Sequence, residues 1–391
     1  MSGDPTFPRL HGRPERGWVN DPNGCFFAGG RYHVFFQHNP DAPVHAAIKW
    51  GHMSSADLVT WQPEPVALVN RPGEPDAYGC WTGCVVDDDG VPTAVYSAVN
   101  GNRPLAGVLL ARGDRSMRTW QQTSSLVVGP PRDPTVSQVR DPYVFEAFGH
   151  RYAIQGAGRG DGQPCVLVYD CDDLTAWREL GVLLDGDDPV AGVIAPADVW
   201  ECPNLVRLGD RWVLVVSLWR REGLMGVRYL VGDLTLPGPC FRPQTGGLLD
   251  RGPCFYAPQL LPLPDRTLMW AWAWERDRPD TADWAGCLTY ARELSLVGDV
   301  LVSRPAADLP AIDLEPGPGA LWLDDTLVAE FEVPASPLVP PRLFLDGSMV
   351  EIFDGTATPF TTRAYPTHSS RWHVRGQDDA RRDRAVAPAD G

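Results

Sequence analysis

A short turn recurs about every sixty residues along most of this chain, and that period limits the fold to an array of like units. The turns are Gly30-Arg31-Tyr32, Asp89-Gly90-Val91, Gly149-His150-Arg151-Tyr152, Gly209-Asp210-Arg211-Trp212 and Pro264-Asp265-Arg266. Counted between Gly30, Gly90, Gly149, Gly209 and Asp265, the steps are 60, 59, 60 and 56 residues. Each turn leads into an apolar run, at 34–36, 94–96, 153–154, 213–216 and 268–270. A second echo runs from Asp57 to Trp61, from Asp114 to Trp120 and from Asp173 to Trp177, with Trp steps of 59 and 57. Between residues 26 and 296 the apolar runs are short or alternating and bounded by Gly, Pro, Asn and Asp, the pattern of strands. A unit of this length holds about four strands. Five units predict an all-β fold, a five-bladed β-propeller, with an array of β-sandwiches as the competing reading.

Composition agrees with many turns around a large core. Gly and Pro number 39 each, 78 of 391 residues, against a usual share of roughly 12%. Fifteen Trp and thirteen Phe need burial, so the excess reads as turns and not as disorder. The net charge of −16 argues against nucleic acid or an anionic membrane as partner. The first seventeen residues lack the apolar stretch of a signal peptide, and no run approaches the ~18 residues of a membrane span, so a cytoplasmic location is expected. Nine Cys form no spaced framework, and Cys80 and Cys84 lack Cys or His neighbours, so reduced thiols are expected and a zinc site is not. No metal and no cofactor is expected, since neither a ligand cluster nor a phosphate-binding loop is evident. Nothing in the sequence sets an oligomeric state.

After residue 296 the pattern changes. Pro-rich stretches at 310–318 and 334–341 flank a strand-like run at 326–333, and Leu343-Phe344-Leu345-Asp346 with Val350-Glu351-Ile352-Phe353 reads as a hairpin around Gly347-Ser348. The expected domains are a propeller at 1–298, a short, apparently truncated β-sandwich-like unit at 299–366, and a disordered tail at 367–391.

Three acidic residues stand eight or nine positions before one of the recurring turns: Asp21, Asp141 and Glu201. Equivalent positions in a radial repeat point at one central place, so three carboxylates far apart in sequence are expected to share a pocket. Two carboxyl groups across a glycosidic bond are the minimum equipment for its hydrolysis, one attacking or activating water and the other protonated at working pH. Taken alone, Asp21-Pro22-Asn23-Gly24 is an ordinary turn sequence. Arg140-Asp141-Pro142 is echoed by Arg132-Asp133-Pro134, and only the phase of the repeat separates them.

The ordered set of motifs resembles glycoside hydrolase family 32, the invertases and fructan hydrolases. It comprises Gly17-Trp18-Val19-Asn20-Asp21-Pro22-Asn23-Gly24, Phe36-Gln37-His38-Asn39-Pro40, Trp50-Gly51-His52, Ser55-Ala56-Asp57-Leu58, and Asp76 with Gly79-Cys80-Trp81-Thr82-Gly83. It continues through Arg140-Asp141-Pro142, Trp200-Glu201-Cys202-Pro203, Phe255-Tyr256-Ala257-Pro258-Gln259, Trp284-Ala285-Gly286 and Arg292-Glu293-Leu294. The resemblance implies a retaining β-fructofuranosidase acting by double displacement on sucrose or short fructo-oligosaccharides. Asp21 would be the nucleophile, Glu201 the acid/base and Asp141 the transition-state stabiliser. It places Asn20, Gln37, Trp50, Thr82 and Arg140 around the fructosyl ring. Tyr256 is a further binding position, and Cys202 borders the acid. Trp81 and Trp272 are candidate apolar walls, although Trp272, in a Trp-rich strand, reads first as core. Trp81-Thr82-Gly83-Cys84 departs from the family's usual Phe-Ser-Gly-Ser, and the chain after 296 is shorter than the family's sandwich. The rival readings are a fructosyltransferase on the same scaffold, a non-catalytic sugar-binding propeller, and a related arabinosidase or xylosidase.

Overall fold

In a computed structural model, residues 3–101, 104–235, 239–278, 283–376 and 384–387 are described. The first 305 residues form five antiparallel sheets of four strands in chain order. The first sheet is Gly17–Ala28, Arg31–Asn39, Lys49–Ser55 and Gln62–Leu68, and the second Gly79–Asp88, Val91–Val99, Gly107–Gly113 and Trp120–Gln122. The third is Val136–Ala147, His150–Arg159, Pro164–Asp170 and Arg178–Asp185. The fourth is Val199–Leu208, Arg211–Arg220, Gly223–Thr235 and Cys240–Leu248. The fifth is Phe255–Pro262, Thr267–Ala273, Arg292–Val297 and Val300–Pro305, with Cys287–Leu288 paired on its second strand. The opening strand of each sheet touches that of the next, and the fifth returns to touch the first.

The recurring turns are the hairpins between the first two strands of these sheets. Gly29 and Gly30 have φ of 59° and 75°, Asp89 and Gly90 54° and 81°, and Phe148 and Gly149 55° and 80°. Two consecutive residues at positive φ make a two-residue turn that matches strand twist, which is why glycine marks the repeat. The Asp-to-Trp echo joins the third strand of a sheet to its fourth. Asp57 Oδ1 accepts the N–H groups of Val59 and Thr60, and Asp173 Oδ1 that of Thr175. The indoles of Trp120 and Trp177 donate to Met117 O and Leu174 O.

Ring closure comes from a separate piece of chain. Trp284–Ala285 pairs in parallel with the opening strand of the first sheet, Gly17 opposite Trp284 and Trp18 opposite Ala285. Trp284 is buried, with the Arg278 and Arg13 guanidinium carbons 3.9 and 4.4 Å from its ring centroid.

Two further four-stranded sheets follow. One orders Ile312–Asp313, Arg342–Asp346, Met349–Phe353 and Phe360–Arg363, the other Thr326–Val333, Gly317–Leu323, Trp372–Gly376 and Arg384–Val386. Leu321, Phe331, Leu343, Val350, Ile352 and Trp372 make a core between them. Two expectations need correction. The boundary at 298 falls inside a hairpin, because Gly298 at φ 61° turns Val297 back against Val300 and the fifth sheet runs to Pro305. The tail from 367 is not wholly without structure: Trp372–Gly376 pairs with Gly317–Leu323, and burial of Trp372 supplies the driving force. Residues 377–383 and 388–391 lie outside the described residues.

A buried charge cluster joins the two parts. Arg292, on the fifth sheet, donates to Asp250 Oδ2 at 2.7 Å, to Glu351 Oε2 at 2.5 Å and to Thr361 Oγ1 at 2.6 Å. His11 bridges Asp346 Oδ2 at 2.8 Å and Glu351 Oε1 at 3.0 Å, stacked on Tyr290. The side chains of Arg292, Glu351 and Asp250 have no exposure. Removing one member of such a set strands the others without solvent, so Glu351→Gln is expected to cost about 3–5 kcal/mol in urea unfolding. Burial opposes charge on His11, yet Asp346 and Glu351 raise its pKa above the ordinary 6.5. The folded state therefore holds the proton more tightly, and that contribution is full below 6.5 and lost as pH rises through the raised value. Glu351 is held down at about 2; burial opposes this, but Arg292 and His11 outweigh it. Its contribution is present above 4.5 and lost as pH falls toward 2. In thermal unfolding across pH 3–9, His11→Asn is expected to flatten the part of the alkaline fall that lies above about 6.5.

Candidate active site

Each of the five opening strands breaks register at the same depth, between Val19 and Pro22, Cys80 and Gly83, Glu201 and Asn204, and Tyr256 and Gln259. In the third sheet the shift lies opposite Ile154 and Gly156, spanning Asp141. A bulge turns side chains out of the strand's alternation and aims them along the ring axis. Asp141, Cys202 and Ala257 have φ of 61°, 47° and 48°, and each precedes a proline. Left-handed backbone costs a non-glycine residue on the order of 1–3 kcal/mol, so the bulges need support. Three of them receive it from the preceding sheet. Asp141 N donates to Ser97 Oγ at 2.8 Å, Cys202 N to Asp141 Oδ2 at 2.9 Å, and Ala257 N to Ser217 Oγ at 3.1 Å.

The three carboxylates meet here. Asp21 Oδ2 accepts from Thr82 Oγ1 at 2.5 Å and from Gln37 Nε2 at 3.1 Å, while Oδ1 accepts from Asn20 Nδ2 at 3.1 Å. Cys202 Sγ lies 3.6 Å from Asp21 Oδ2 and 3.5 Å from Asp141 Oδ2, bridging the two. Glu201 stands one residue before the bulge that Cys202 occupies. Its Oε1 accepts from Arg140 Nε at 2.9 Å and its Oε2 from the Tyr256 hydroxyl at 2.7 Å. Arg140 is fixed in turn by Gln138 Oε1 at 3.1 Å. A hydroxyl can donate or accept, whereas a guanidinium only donates. Glu201 can therefore carry a proton on Oε2 facing Tyr256 without losing that partner.

Burial raises the Asp21 carboxyl above its ordinary 3.8, helped by Glu201 and opposed by Thr82 and Asn20. It raises Asp141 too, with Arg140 opposing and Glu201 and Asp21 adding like charge. Burial beside these acids also pushes the Cys202 thiol up, so it is a neutral donor between carboxylates.

Of the other expected positions, Asn20, Gln37, Thr82, Arg140 and Tyr256 touch a carboxylate directly, and Trp81 is half-buried. Trp50 does not: it is wholly buried with Phe35 and Tyr96, its indole donating to Trp81 O at 3.1 Å, so it backs the wall. Trp272, read first as core, is less deeply buried than Trp50. It is half-buried, packed against the main core cluster and 5.6 Å from the ring of Trp18. The motifs alone missed Ser97, Ser217, Gln138 and His45, because polar residues in apolar strands or an irregular loop carry no spacing signal. A cavity of about 450 Å³ at the other end of the opening strands is lined by Phe26, Val86, Tyr143, Phe145 and Leu260, and by none of the three carboxylates. Among the described residues no group of three or more His, Cys, Asp or Glu is set to hold a metal ion, and no helix is long and apolar enough to cross a membrane.

The family model for the glycosyl hydrolases family 32 N-terminal domain matches residues 11–305, ending with the last strand of the fifth sheet. A sucrose-6-phosphate hydrolase of Zymomonas mobilis is 35% identical over 327 residues, 78% of this chain and 62% of that protein. A raffinose invertase of Escherichia coli is 33% identical over 332 residues, covering 79% and 67%. This chain thus spans less than two thirds of the first relative's length. Among solved structures, a Bombyx mori GH32 beta-fructofuranosidase in complex with sucrose superposes with a TM-score of 0.77 at 25% identity, over 95% of this chain and 90% of that one. Fructan 1-exohydrolase IIa of Cichorium intybus shares the fold, with a TM-score of 0.75 at 21% identity over 93% and 92%.

A carboxyl whose pKa is raised by folding stabilises fully below its ordinary value and loses that contribution as pH rises through the raised one. Asp141→Asn is therefore expected to melt above the parent at pH 8, by on the order of 1–2 kcal/mol, with the gap closing toward pH 4 in thermal scans.

Proposed function

The chain belongs to glycoside hydrolase family 32, and from that premise we propose that it is a retaining β-fructofuranosidase built on a five-bladed propeller with a small C-terminal sandwich. The observation that carries this reading is the convergence of Asp21, Asp141 and Glu201, from three different sheets, on one thiol and one guanidinium. Asp21 is the nucleophile. Its Oδ2 is held by Thr82 and Gln37, which leaves Oδ1, with the single neighbour Asn20, to attack C2 of a terminal fructosyl unit. As the new C2–O bond forms, the bond to the leaving sugar breaks and Glu201 passes its proton to the leaving oxygen. Water then loses a proton to Glu201 and attacks C2, and the Asp21 ester bond breaks to release fructose. Retention follows from two displacements at one centre.

Asp141 has Oδ2 engaged by Cys202 and leaves Oδ1 for sugar hydroxyls, where a strengthening hydrogen bond stabilises the charged transition state. Arg140 and Tyr256 hold Glu201, and Trp81 and Trp272 offer apolar rings to sugar C–H faces. Sucrose, its 6-phosphate and short fructo-oligosaccharides are the proposed substrates, since the relatives named above act on sucrose derivatives or raffinose.

The test is fructose release from sucrose, sucrose 6-phosphate, 1-kestose and inulin. Asp21→Asn is expected to abolish turnover, and Glu201→Gln to lower kcat by about 100-fold or more with smaller change in KM. Folded parent protein that releases no fructose from any of them would sink the reading, and near-parental activity in either variant would sink the assigned roles.

A further inference from the structure

One titratable side chain beside the nucleophile belongs to none of the matched motifs. His45 lies in the loop between Arg31–Asn39 and Lys49–Ser55, and that loop is tied down along its length. Asn39 Nδ2 donates to Val44 O at 3.0 Å, Asp41 N to Asn39 Oδ1 at 3.1 Å, and Cys80 N to Ile48 O at 2.9 Å. The imidazole stands edge-on to two indoles, with centroid distances of 6.1 Å to Trp18 and 5.4 Å to Trp81. Its Nε2 is 3.3 Å from Gln37 Oε1. The other end of the same amide, Gln37 Nε2, reaches Asp21 Oδ2 at 3.1 Å and Thr82 Oγ1 at 2.7 Å.

A carboxamide has a donating end and an accepting end, and its contacts decide which way it faces. With the amide turned over, Gln37 oxygen would oppose the Asp21 carboxylate, two acceptors at hydrogen-bond distance. A hydrogen on His45 Nε2 favours the productive orientation, because only the amide oxygen can accept it. We infer that His45 is a positioning residue, whose Nε2–H holds Gln37 Oε1 and so turns the Gln37 amide N–H toward Asp21. The inference rests on the role proposed for Asp21. It requires a donor at this place, and neither the ring's bulk nor a positive charge would substitute.

Two measurements test it. In protein labelled with ¹⁵N-histidine, the His45 signals are identified by their loss in His45→Phe, and the Nε2–H form is expected, with a resonance that moves in Gln37→Ala. An Nδ1–H tautomer, or a resonance indifferent to Gln37→Ala in a folded variant, overturns the inference. In fructose release, His45→Phe keeps a ring but no donor, and kcat is expected to fall about tenfold with KM within about twofold. His45→Gln, whose amide can donate to the same oxygen, is expected to recover most of that loss. Unchanged kcat in His45→Phe, or equal losses in both variants, also overturns it. A parent protein that releases no fructose defeats the functional reading instead, while the tautomer measurement still decides the His45–Gln37 contact.

Discussion

The parallel pairing of Trp284–Ala285 with Gly17 and Trp18 is the constraint on which the rest of the molecule depends. Five like sheets in sequence could form an open arc. Closing the arc brings the fifth opening strand against the first, and only then do Asp21 on the first sheet and Tyr256 on the fifth share one end of an axis. The closure is reinforced by side chains. Trp284 is clasped by Arg13 and Arg278, its indole donates to Asp4 at 2.9 Å, and Arg363 of the C-terminal sheets reaches Glu275 beside it. The N-terminal segment, the ring seam and the C-terminal unit are thus one mechanical assembly, with the Arg292 cluster at its centre.

Within the closed ring, the bulges convert strand geometry into site geometry. A regular strand would point Asp141 into a sheet face, where an ionised carboxylate has no place. The left-handed step before each proline turns it onto the axis instead, and the N–H freed by that step is taken by a side chain of the neighbouring sheet. Asp141 serves twice here, bonding the backbone of Cys202 and lying within reach of its thiol. Local strain and like charge are concentrated where the chemistry is proposed, and the buried apolar strands around it carry the cost.

How much of this was legible in the sequence differs from element to element. The turn period was, because a two-residue hairpin requires positive φ and glycine supplies it in four of the five turns. The convergence of Asp21, Asp141 and Glu201 was legible from phase, although Glu201 sits one residue off the bulge. Trp50 and Trp272 were not separable, since an indole in an apolar strand has the same local pattern whether it is wholly or partly buried. Nor was the strand Trp372–Gly376, where a partner at 317–323 overrides a charged, small-residue neighbourhood. His45 had no signal at all: its meaning comes from Gln37, and Gln37's from Asp21, a chain of contacts that exists only after folding.

The seam also sets an order of events during folding. The strand that seals the ring lies 267 residues downstream of the one it pairs with, so this contact has one of the longest sequence separations in the fold. The Gly17–Ala28 strand that it meets is buried along most of its length, so it depends on neighbours made much later in the sequence. Long-range pairing of this kind costs loop-closure entropy before its contacts stabilise it, so ring closure is the slow step and the local hairpins of each sheet the fast ones.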